Sequence, residues 1–363
     1  RVITGDVYHA SGIKDVRYYI NGQSMGSAPY GYLTTTSLNH GFSVPQETGY
    51  RISIPTNAWA KGAINSLKIE IIANDGTKEW DAVYLNDSKH ELVFEEYIGS
   101  YNYYLNTEFT RNNPTFWGTT SRRATKEELD YYFDPTRWIG SDLYKYVYVD
   151  FGYNAQDYTV LPTQLNKLLE NKGVLHNMGQ HFLQGAIDFK INPYYLVSHA
   201  LLETGNGNSV LARGQKIEYY HEIFGNASSR KISLPKEHIH KTWYNVYGIG
   251  AYSSNANLWG AERAYRQGWD ASKGMYTDGW DSVEKAIYNG AQWISRNYIG
   301  RTPEPQNTNF KMRYNLHETM THQYAEDVAW GHKQANRIKQ MFESLNQEVP
   351  LRFVVPVFGQ VRP

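Results

Sequence analysis

Hydrophobic and polar residues alternate over short runs in the first hundred residues, and turn signals separate the runs. Residues 16–20 precede Asn21-Gly22, and residues 67–72 precede Asn74-Asp75-Gly76. Short alternating runs that end at Asn-Gly or Asp-Gly are typical of β-hairpins. The pattern therefore predicts that residues 1–97 form a small all-β sandwich.

The next segment, residues 98–160, is rich in Tyr and Asn and only weakly periodic. Thr125 and Glu128 have the spacing of a capping box, in which the two side chains satisfy amides of a first helical turn. We expect a helix to begin there and to stop at Asp134-Pro135, because proline disfavours helical geometry in the residue before it. We expect this segment to wrap, as an extension, around the domain that follows.

Residues 161–363 have mainly helical periodicity, with apolar residues three and four positions apart. Residues 209–243 are polar and carry Gly214, Gly225 and Pro235, which indicates an irregular or β-rich lobe beside the helices. The pattern thus predicts an α+β domain that is mainly helical. The predicted helices cover residues 161–173, 181–190, 193–204, 282–295 with Asp281 as its cap, and 325–345, whereas residues 307–314 are expected to be extended and residues 351–357 to form a strand.

One predicted helix, at residues 193–204, has clear ends and a single carboxylate. Asn192 is a good cap, Pro193 suits the first helical position, and Gly205 can adopt the left-handed conformation that closes a last turn. The residues between are apolar on nearly every side, which predicts a buried helix. Glu203, at its end, is the exception.

Glu203 has two reasons to hold its proton: removal from water and the negative end of the helix dipole. A carboxyl group that stays protonated near neutral pH can act as a general acid. These features alone equally allow an ordinary solvated Glu203 in a fraying last turn.

Composition and charge limit the function classes. Lys plus Arg and Asp plus Glu are both 36, so the formal net charge is zero and a nucleic-acid partner is disfavoured. The chain has no Cys, so it contains no disulfide and no thiolate metal site. No apolar run of about 18 residues spans a membrane, and the first residues lack signal-peptide character, so we expect a mature or trimmed segment. The aromatic content of 15% suits stacking on sugar rings as well as ordinary core packing.

Two histidine arrangements require a choice between chemistry and structure. His317 and His322 are five residues apart, which turns them away from each other on a helix, so no zinc site is predicted. No other set of side chains has metal-ligand spacing, and no cofactor is implied. His199 lies four residues before Glu203 and either contacts it or makes a structural hydrogen bond inside the domain.

The stretch Ser198-His199-Ala200-Leu201-Leu202-Glu203-Thr204-Gly205 resembles the endo-β-N-acetylglucosaminidase family of bacterial autolysins, a glycoside hydrolase family 73 type of catalytic domain. The resemblance implies a lysozyme-like helical fold with a β-lobe and cleavage of the β-1,4 bond after N-acetylglucosamine in peptidoglycan. Further blocks that match in order are Leu211-Ala212-Arg213-Gly214, Tyr244-Asn245-Val246-Tyr247-Gly248-Ile249, Gly279-Trp280-Asp281-Ser282-Val283, Phe310-Lys311-Met312-Arg313-Tyr314-Asn315 and His322-Gln323-Tyr324-Ala325-Glu326-Asp327.

The resemblance makes Glu203 the general acid that protonates the leaving oxygen. The second catalytic group stays open among Glu222, Glu237 and Asp327, with Tyr324 orienting water or the substrate's acetamido group. Carboxyl groups about 5 Å apart would favour a covalent retaining route and a separation of about 6.5 to 9.5 Å would favour water attack, whereas the lack of a second carboxylate would favour acetamido assistance. A solvated surface role is the alternative for each carboxylate.

Five residues are predicted to hold sugar rings and acetamido groups by stacking and hydrogen bonding. The sequence departs from the family at Tyr247, where Phe is usual, and at Ser253, where Asp is common, so no acid is expected at position 253. The five predicted substrate-binding residues are Asn245, Tyr247, Tyr252, Tyr298 and His199.

Residues 10–16 and 19–23 resemble immunoglobulin-like modules of bacterial surface proteins, which act as spacers or weak binders. The predicted organisation is therefore an immunoglobulin-like sandwich at 1–97, an extension at 98–160 and a glucosaminidase domain at 161–363. We expect a secreted, wall-associated monomer that acts on peptidoglycan glycan strands. The alternatives are a lytic transglycosylase, or a wall-binding protein with an inactive hydrolase domain.

Overall fold

The chain divides into two compact units, and each is described by itself. Unit 1 comprises Arg1–Asp150, Thr308–Asn336 and Pro350–Pro363, and unit 2 comprises Phe151–Asn307 and Arg337–Val349. The computed structural model describes residues 2–7, 9–32, 49–55, 57–154, 159–224, 228–251, 255–267, 269–270, 275–276, 279–317, 320–343 and 349–359.

The described strands are concentrated before residue 100 and the helices after it, as the pattern predicted. The strands are β1 Val2–Asp6, β2 Ile13–Ile20, β3 Gln23–Ser27, β4 Tyr30–Tyr32, β5 Gly49–Ser53, β6 Ile64–Ala73, β7 Lys78–Asn86, β8 Glu91–Tyr97, β9 Thr115–Trp117, β10 Ser121–Arg123, β11 Tyr219–Phe224, β12 Ser228–Ser233, β13 Trp269–Asp270, β14 Met275–Tyr276 and β15 Arg352–Phe358. The α-helices are α1 Tyr101–Arg111, α2 Lys126–Phe133, α3 Pro135–Trp138, α4 Pro162–Leu168, α5 Gly179–Phe189, α6 Pro193–Glu203, α7 Ala256–Arg266, α8 Val283–Ile294, α9 Asn309–Arg313 and α10 Trp330–Glu343, with shorter helical turns at Tyr144–Tyr148, Gly173–Leu175 and Ser295–Ile299.

Two antiparallel sheets form the sandwich predicted for the start of the chain. One has the order β3-β2-β6-β7 and the other the order β1-β5-β4. Asn21 and Gly22 both have positive φ, of 49° and 78°, in the two-residue turn between β2 and β3. This geometry matches the right-handed twist of paired strands and explains the Asn-Gly signal. The buried residues of this core are Val7, Val16, Ile20, Ala28, Ile52, Ile54, Leu67 and Ile69.

Unit 1 joins this sandwich to later parts of the chain. Strand β8 pairs in parallel with β15, the last strand of the chain. Lys68 in β6 makes a buried ion pair of 2.7 Å with Asp134, which caps α3. Residues 98–150 therefore belong to the same compact unit as residues 1–97. The domain boundaries near residues 97 and 160 stay a prediction.

In unit 2, helix α5 packs against α4, α6 and α8. Helices α5 and α8 pack closely at Gly185, where a Cβ would lie only 3.2 Å from the Cβ of Ala291. The hairpin β11–β12 supplies the predicted β-rich lobe. The capping box of Thr125 and Glu128 at α2, in unit 1, is also confirmed.

Three local predictions were wrong. Residues 307–314 are not extended, since Thr308 caps the short helix α9. The hydroxyl of Ser282, and not Asp281, caps α8, while Asp281 pairs with Lys241 and Lys285. The last helix begins at Trp330 and not at residue 325.

Candidate active site

Helix α6 carries Glu203 at its C-terminal end, after a buried stretch of the helix. The Asn192 carboxamide oxygen accepts hydrogen bonds from the amides of Tyr194 and Tyr195, at 2.9 and 3.3 Å, and Pro193 occupies the first turn. Every residue from 193 to 201 is buried. The Glu203 side chain is 25% exposed. The predicted caps and burial are confirmed, and the carboxylate sits where the protein core meets solvent.

The turn after Glu203 is closed tightly. Gly205, Asn206 and Gly207 all have positive φ, between 55° and 79°. The Thr204 hydroxyl accepts a hydrogen bond from the Gly207 amide at 2.7 Å and donates one to the Ala200 carbonyl at 2.6 Å. The turn thereby fixes the backbone on the C-terminal side of the carboxylate.

A loop at residues 244–251 closes over Glu203 with its backbone. Gly248 has a φ of +66°, and a Cβ placed there would lie 2.8 Å from Oε2 of Glu203. Asn245 shapes this loop: its oxygen accepts from the amides of Tyr247 and Ile249, and its nitrogen donates to the carbonyls of Ile249 and Gly260. Asn245 is only 1% exposed. These four bonds give Asn245 a structural role, so its predicted contact with sugar is not supported.

A line of polar side chains runs along α6 to Glu203. Tyr195, His199 and Glu203 are spaced four residues apart, which places them on one face of the helix. The Tyr195 hydroxyl lies 2.7 Å from Nδ1 of His199, and Nε2 of His199 lies 3.9 Å from Oε1 of Glu203. Burial lowers the pKa of His199 to about 3, so the imidazole is neutral near pH 7. His199 is fully buried, which supports the structural alternative over direct sugar binding.

Tyr247 and Tyr298 pack inside unit 2. Tyr247 has no exposed surface; its ring meets the His199 ring edge-on at 5.6 Å and would overlap any Cβ placed at Gly290. Tyr298 is 6% exposed and lies 5.8 Å from the ring of Trp293. Neither ring has an open face, so burial disfavours stacking of these residues on sugars. Their role in substrate binding stays a prediction. Tyr252 and Ser253 lie outside the described residues.

The two candidate carboxylates of the β-lobe are surface groups. Glu222 in β11 pairs with Arg230 of β12 at 3.2 Å across the hairpin. Glu237 follows β12 and is exposed. Their predicted role as second catalytic group stays a prediction.

The candidates Tyr324 and Asp327 belong to unit 1. The Tyr324 ring stacks on Trp330 at 5.4 Å, and its amide donates to the Met312 carbonyl at 2.8 Å. Asp327 is 8% exposed and pairs with Nζ of Lys333 at 2.6 Å. Its other oxygen accepts from the amides of Trp117 and Ala329, at 3.3 and 3.2 Å. The contacts of Asp327 are those of a structural carboxylate, which argues against a catalytic role.

Two parts of the site were not predicted from the sequence. Tyr195 could have been found from its spacing of four residues with His199, which is visible in the sequence. The approach of Gly248 to Glu203 joins two distant segments, and only the glycine spacing of that loop hinted at it.

Within the described residues, no group of three or more His, Asp or Glu side chains is arranged to hold a metal ion. The same part of the chain contains no helix with the length and apolar character needed to cross a membrane.

The match to a known protein family includes Glu203. Residues 179–343 match the family model described as glucosaminidase, mannosyl-glycoprotein endo-beta-N-acetylglucosaminidase. The chain is 38% identical over 238 residues to Beta-N-acetylglucosaminidase of Bacillus subtilis (strain 168), covering 65% of this chain and 23% of that protein. It is 34% identical over 251 residues to Bifunctional autolysin of Staphylococcus epidermidis (strain ATCC 12228 / FDA PCI 1200), covering 68% of this chain and 16% of that protein. The chain thus spans less than a quarter of the length of these relatives.

Solved structures agree with the sequence matches. S. aureus glucosaminidase B aligns with a TM-score of 0.52 and 26% identity, over 74% of this chain and 94% of that one. A catalytic mutant of S. aureus Autolysin E in complex with the disaccharide NAG-NAM aligns with a TM-score of 0.50 and 26% identity, over 70% of this chain and 97% of that one.

Proposed function

We propose that the chain is a peptidoglycan hydrolase that cleaves the β-1,4 bond between N-acetylglucosamine and N-acetylmuramic acid, with Glu203 as general acid. Residues 179–343 match the glucosaminidase family model, which supports this activity. The observation that carries the proposal is the position of Glu203. It is a partly exposed carboxyl group at the end of a buried helix, and the backbone of Gly248 lies against it.

The surroundings of Glu203 suit proton donation to a glycosidic oxygen. The negative end of the α6 dipole and the apolar core behind it both oppose a negative charge on the carboxylate. The turn at residues 204–207 and the loop at residues 244–251 hold the group in place, so little reorganisation is needed when the sugar binds.

Tyr324 is our choice for the second group, in preference to Asp327. Asp327 has both oxygens engaged by Lys333 and by two backbone amides, and a carboxylate held in this way is a poor nucleophile or base. Tyr324 would orient the attacking water or the substrate's acetamido oxygen. With the acetamido oxygen as nucleophile, the reaction needs no second carboxylate.

The names of the relatives support the substrate and the place of action. Related proteins are named autolysins, and one related structure holds the disaccharide NAG-NAM. We therefore propose that the chain acts as a monomer on glycan strands of the bacterial wall, outside the cell.

Analysis of product ends tests the proposal. The purified chain is incubated with peptidoglycan, and the soluble fragments are examined by mass spectrometry before and after borohydride reduction. We expect fragments that end in reducible N-acetylglucosamine. Anhydro-muramic ends would instead identify a lytic transglycosylase, and binding to walls without release of fragments would identify an inactive wall-binding protein.

A further inference from the structure

A buried polar cluster in unit 1 surrounds the segment that carries Tyr324. Its four members are Glu108 and Asn112, from α1 and its C-terminal cap, and Arg313 and Gln323. Glu108 has no exposed surface and Arg313 is 1% exposed. Ionised groups are buried at this depth only when they are paired and hydrogen-bonded.

Each ionised side chain of the cluster has several partners. Glu108 accepts from Arg313 at 2.8 Å, and from the amide groups of Asn112 and Gln323, both at 2.6 Å. Arg313 also donates to the Gln323 side-chain oxygen at 2.9 Å. One positive charge therefore faces one negative charge, and satisfied networks of this kind rigidify the parts that they join.

The cluster holds the backbone of residues 320–327, which form no helix and almost no strand pairing. Arg313 donates to the carbonyl oxygens of Glu326 and Asp327, both at 2.9 Å. Asn112 donates to the carbonyl oxygen of Met320 at 2.7 Å. Both ends of the segment are thus bound by side chains of the cluster.

The segment needs such support because its backbone is strained. Met320 and His322 have φ values of 64° and 59°, a region that side chains other than glycine disfavour. Residues in this region persist when the surrounding structure holds them there, and they concentrate at functional sites. Tyr324 lies two residues after His322.

We propose that Glu108 is a positioning residue for the reaction, which through Arg313 and Gln323 holds residues 320–327 in the conformation that presents Tyr324. Glu108 lies outside the family match at residues 179–343. The inference rests on the proposed function, and it makes α1 a working part of the enzyme.

The test compares the variant Glu108→Gln with Asp134→Asn. Both changes turn the acid of a buried ion pair in unit 1 into its amide, since Asp134 pairs with Lys68 at 2.7 Å and is 1% exposed. Of these two acids, only Glu108 belongs to the cluster that holds residues 320–327. Thermal unfolding measures the stability that each variant loses. Turnover is then measured on a soluble, uncross-linked glycan strand at a temperature well below both melting temperatures.

We expect Glu108→Gln to lower kcat by about 10- to 100-fold, with KM within about twofold of wild type, because the side chain that orients the nucleophile is misplaced while the sugar still binds. Asp134→Asn should stay within about twofold of wild type. In a Tyr324→Phe background, Glu108→Gln should change kcat by less than about twofold, since residues that act as a unit are not additive.

Three results would overturn the inference while leaving the proposed function intact: normal kcat in folded Glu108→Gln, an equal loss in Asp134→Asn, or losses that multiply in the double variant. If Glu108→Gln does not fold, Gln323→Met carries the same test, because Gln323 is uncharged and half-buried. A wild-type chain that releases no glycan fragments would refute the proposed function and the inference together.

Discussion

Replacement of Gly248 by Ala changes the surroundings of Glu203 by one methyl group. Gly248 has a φ of +66°, so any Cβ there costs about 1–2 kcal/mol for the left-handed backbone. The new Cβ would lie 2.8 Å from Oε2 of Glu203, about 0.6 Å closer than the 3.4 Å at which ordinary contact begins. The carboxyl group must therefore move by about that amount.

A displacement of this size predicts a loss of activity as well as of stability. A misplacement of about 1 Å can cost about 100-fold in rate, so we expect Gly248→Ala to lower kcat by about tenfold or more. The assay follows release of reducing ends from peptidoglycan, and urea unfolding measures the accompanying loss of stability.

Gly205→Ala is the matched control. Gly205 also has a positive φ, of +55°, but a Cβ there would meet nothing within 4 Å. We expect the same cost of about 1–2 kcal/mol in stability and a rate within about twofold of wild type. Equal rates for the two variants would refute the reasoning that the methyl group acts through Glu203.

Three further predictions concern the support of the site and the organisation of the chain. Burial lowers the pKa of His199 to about 3, below the 6.5 expected when unfolded, so the unfolded chain takes up a proton first as the pH falls. This difference should lower the free energy of unfolding by about 1.4 kcal/mol per pH unit between about pH 6.5 and 3. Denaturant titrations of His199→Gln should lack this contribution, and an unchanged slope would contradict the prediction. Tyr195→Phe removes the hydroxyl that pairs with Nδ1 of His199, so we expect urea titrations to show a free energy of unfolding lower by about 1–3 kcal/mol. Unchanged stability would show that the pair contributes nothing. A chain that starts at residue 99 lacks β8, the partner of β15, and we expect it to be degraded quickly by protease; a stable, fully active fragment would show that the sandwich is dispensable.

The sequence predicted the parts of the structure whose signals are local. The caps of α6, the Asn21-Gly22 hairpin and the capping box of Thr125 depend on residues within four positions of each other, and all are confirmed. The resemblance carried by the motif around Glu203 is confirmed by the family match at residues 179–343.

Contacts between residues that are distant in the chain left no signal in the sequence. Helix α1 was not predicted. Its buried face includes a charged residue, Glu108, which is satisfied by Arg313, 205 positions later. The residues before Trp330 were assigned to a helix on periodicity, but they are held by the buried polar cluster instead. Asn245 donates to the carbonyl of Gly260, 15 positions later, as well as bonding to its own loop, and its predicted contact with sugar stays a prediction.

Replacement of Glu203 by Gln tests the central claim most directly. The change keeps the size of the side chain and removes the acidic proton, so the melting temperature should stay close to that of wild type. Release of reducing N-acetylglucosamine ends should fall by about 100- to 10,000-fold. A folded Glu203→Gln protein that cleaves glycan strands within tenfold of the wild-type rate would contradict the account.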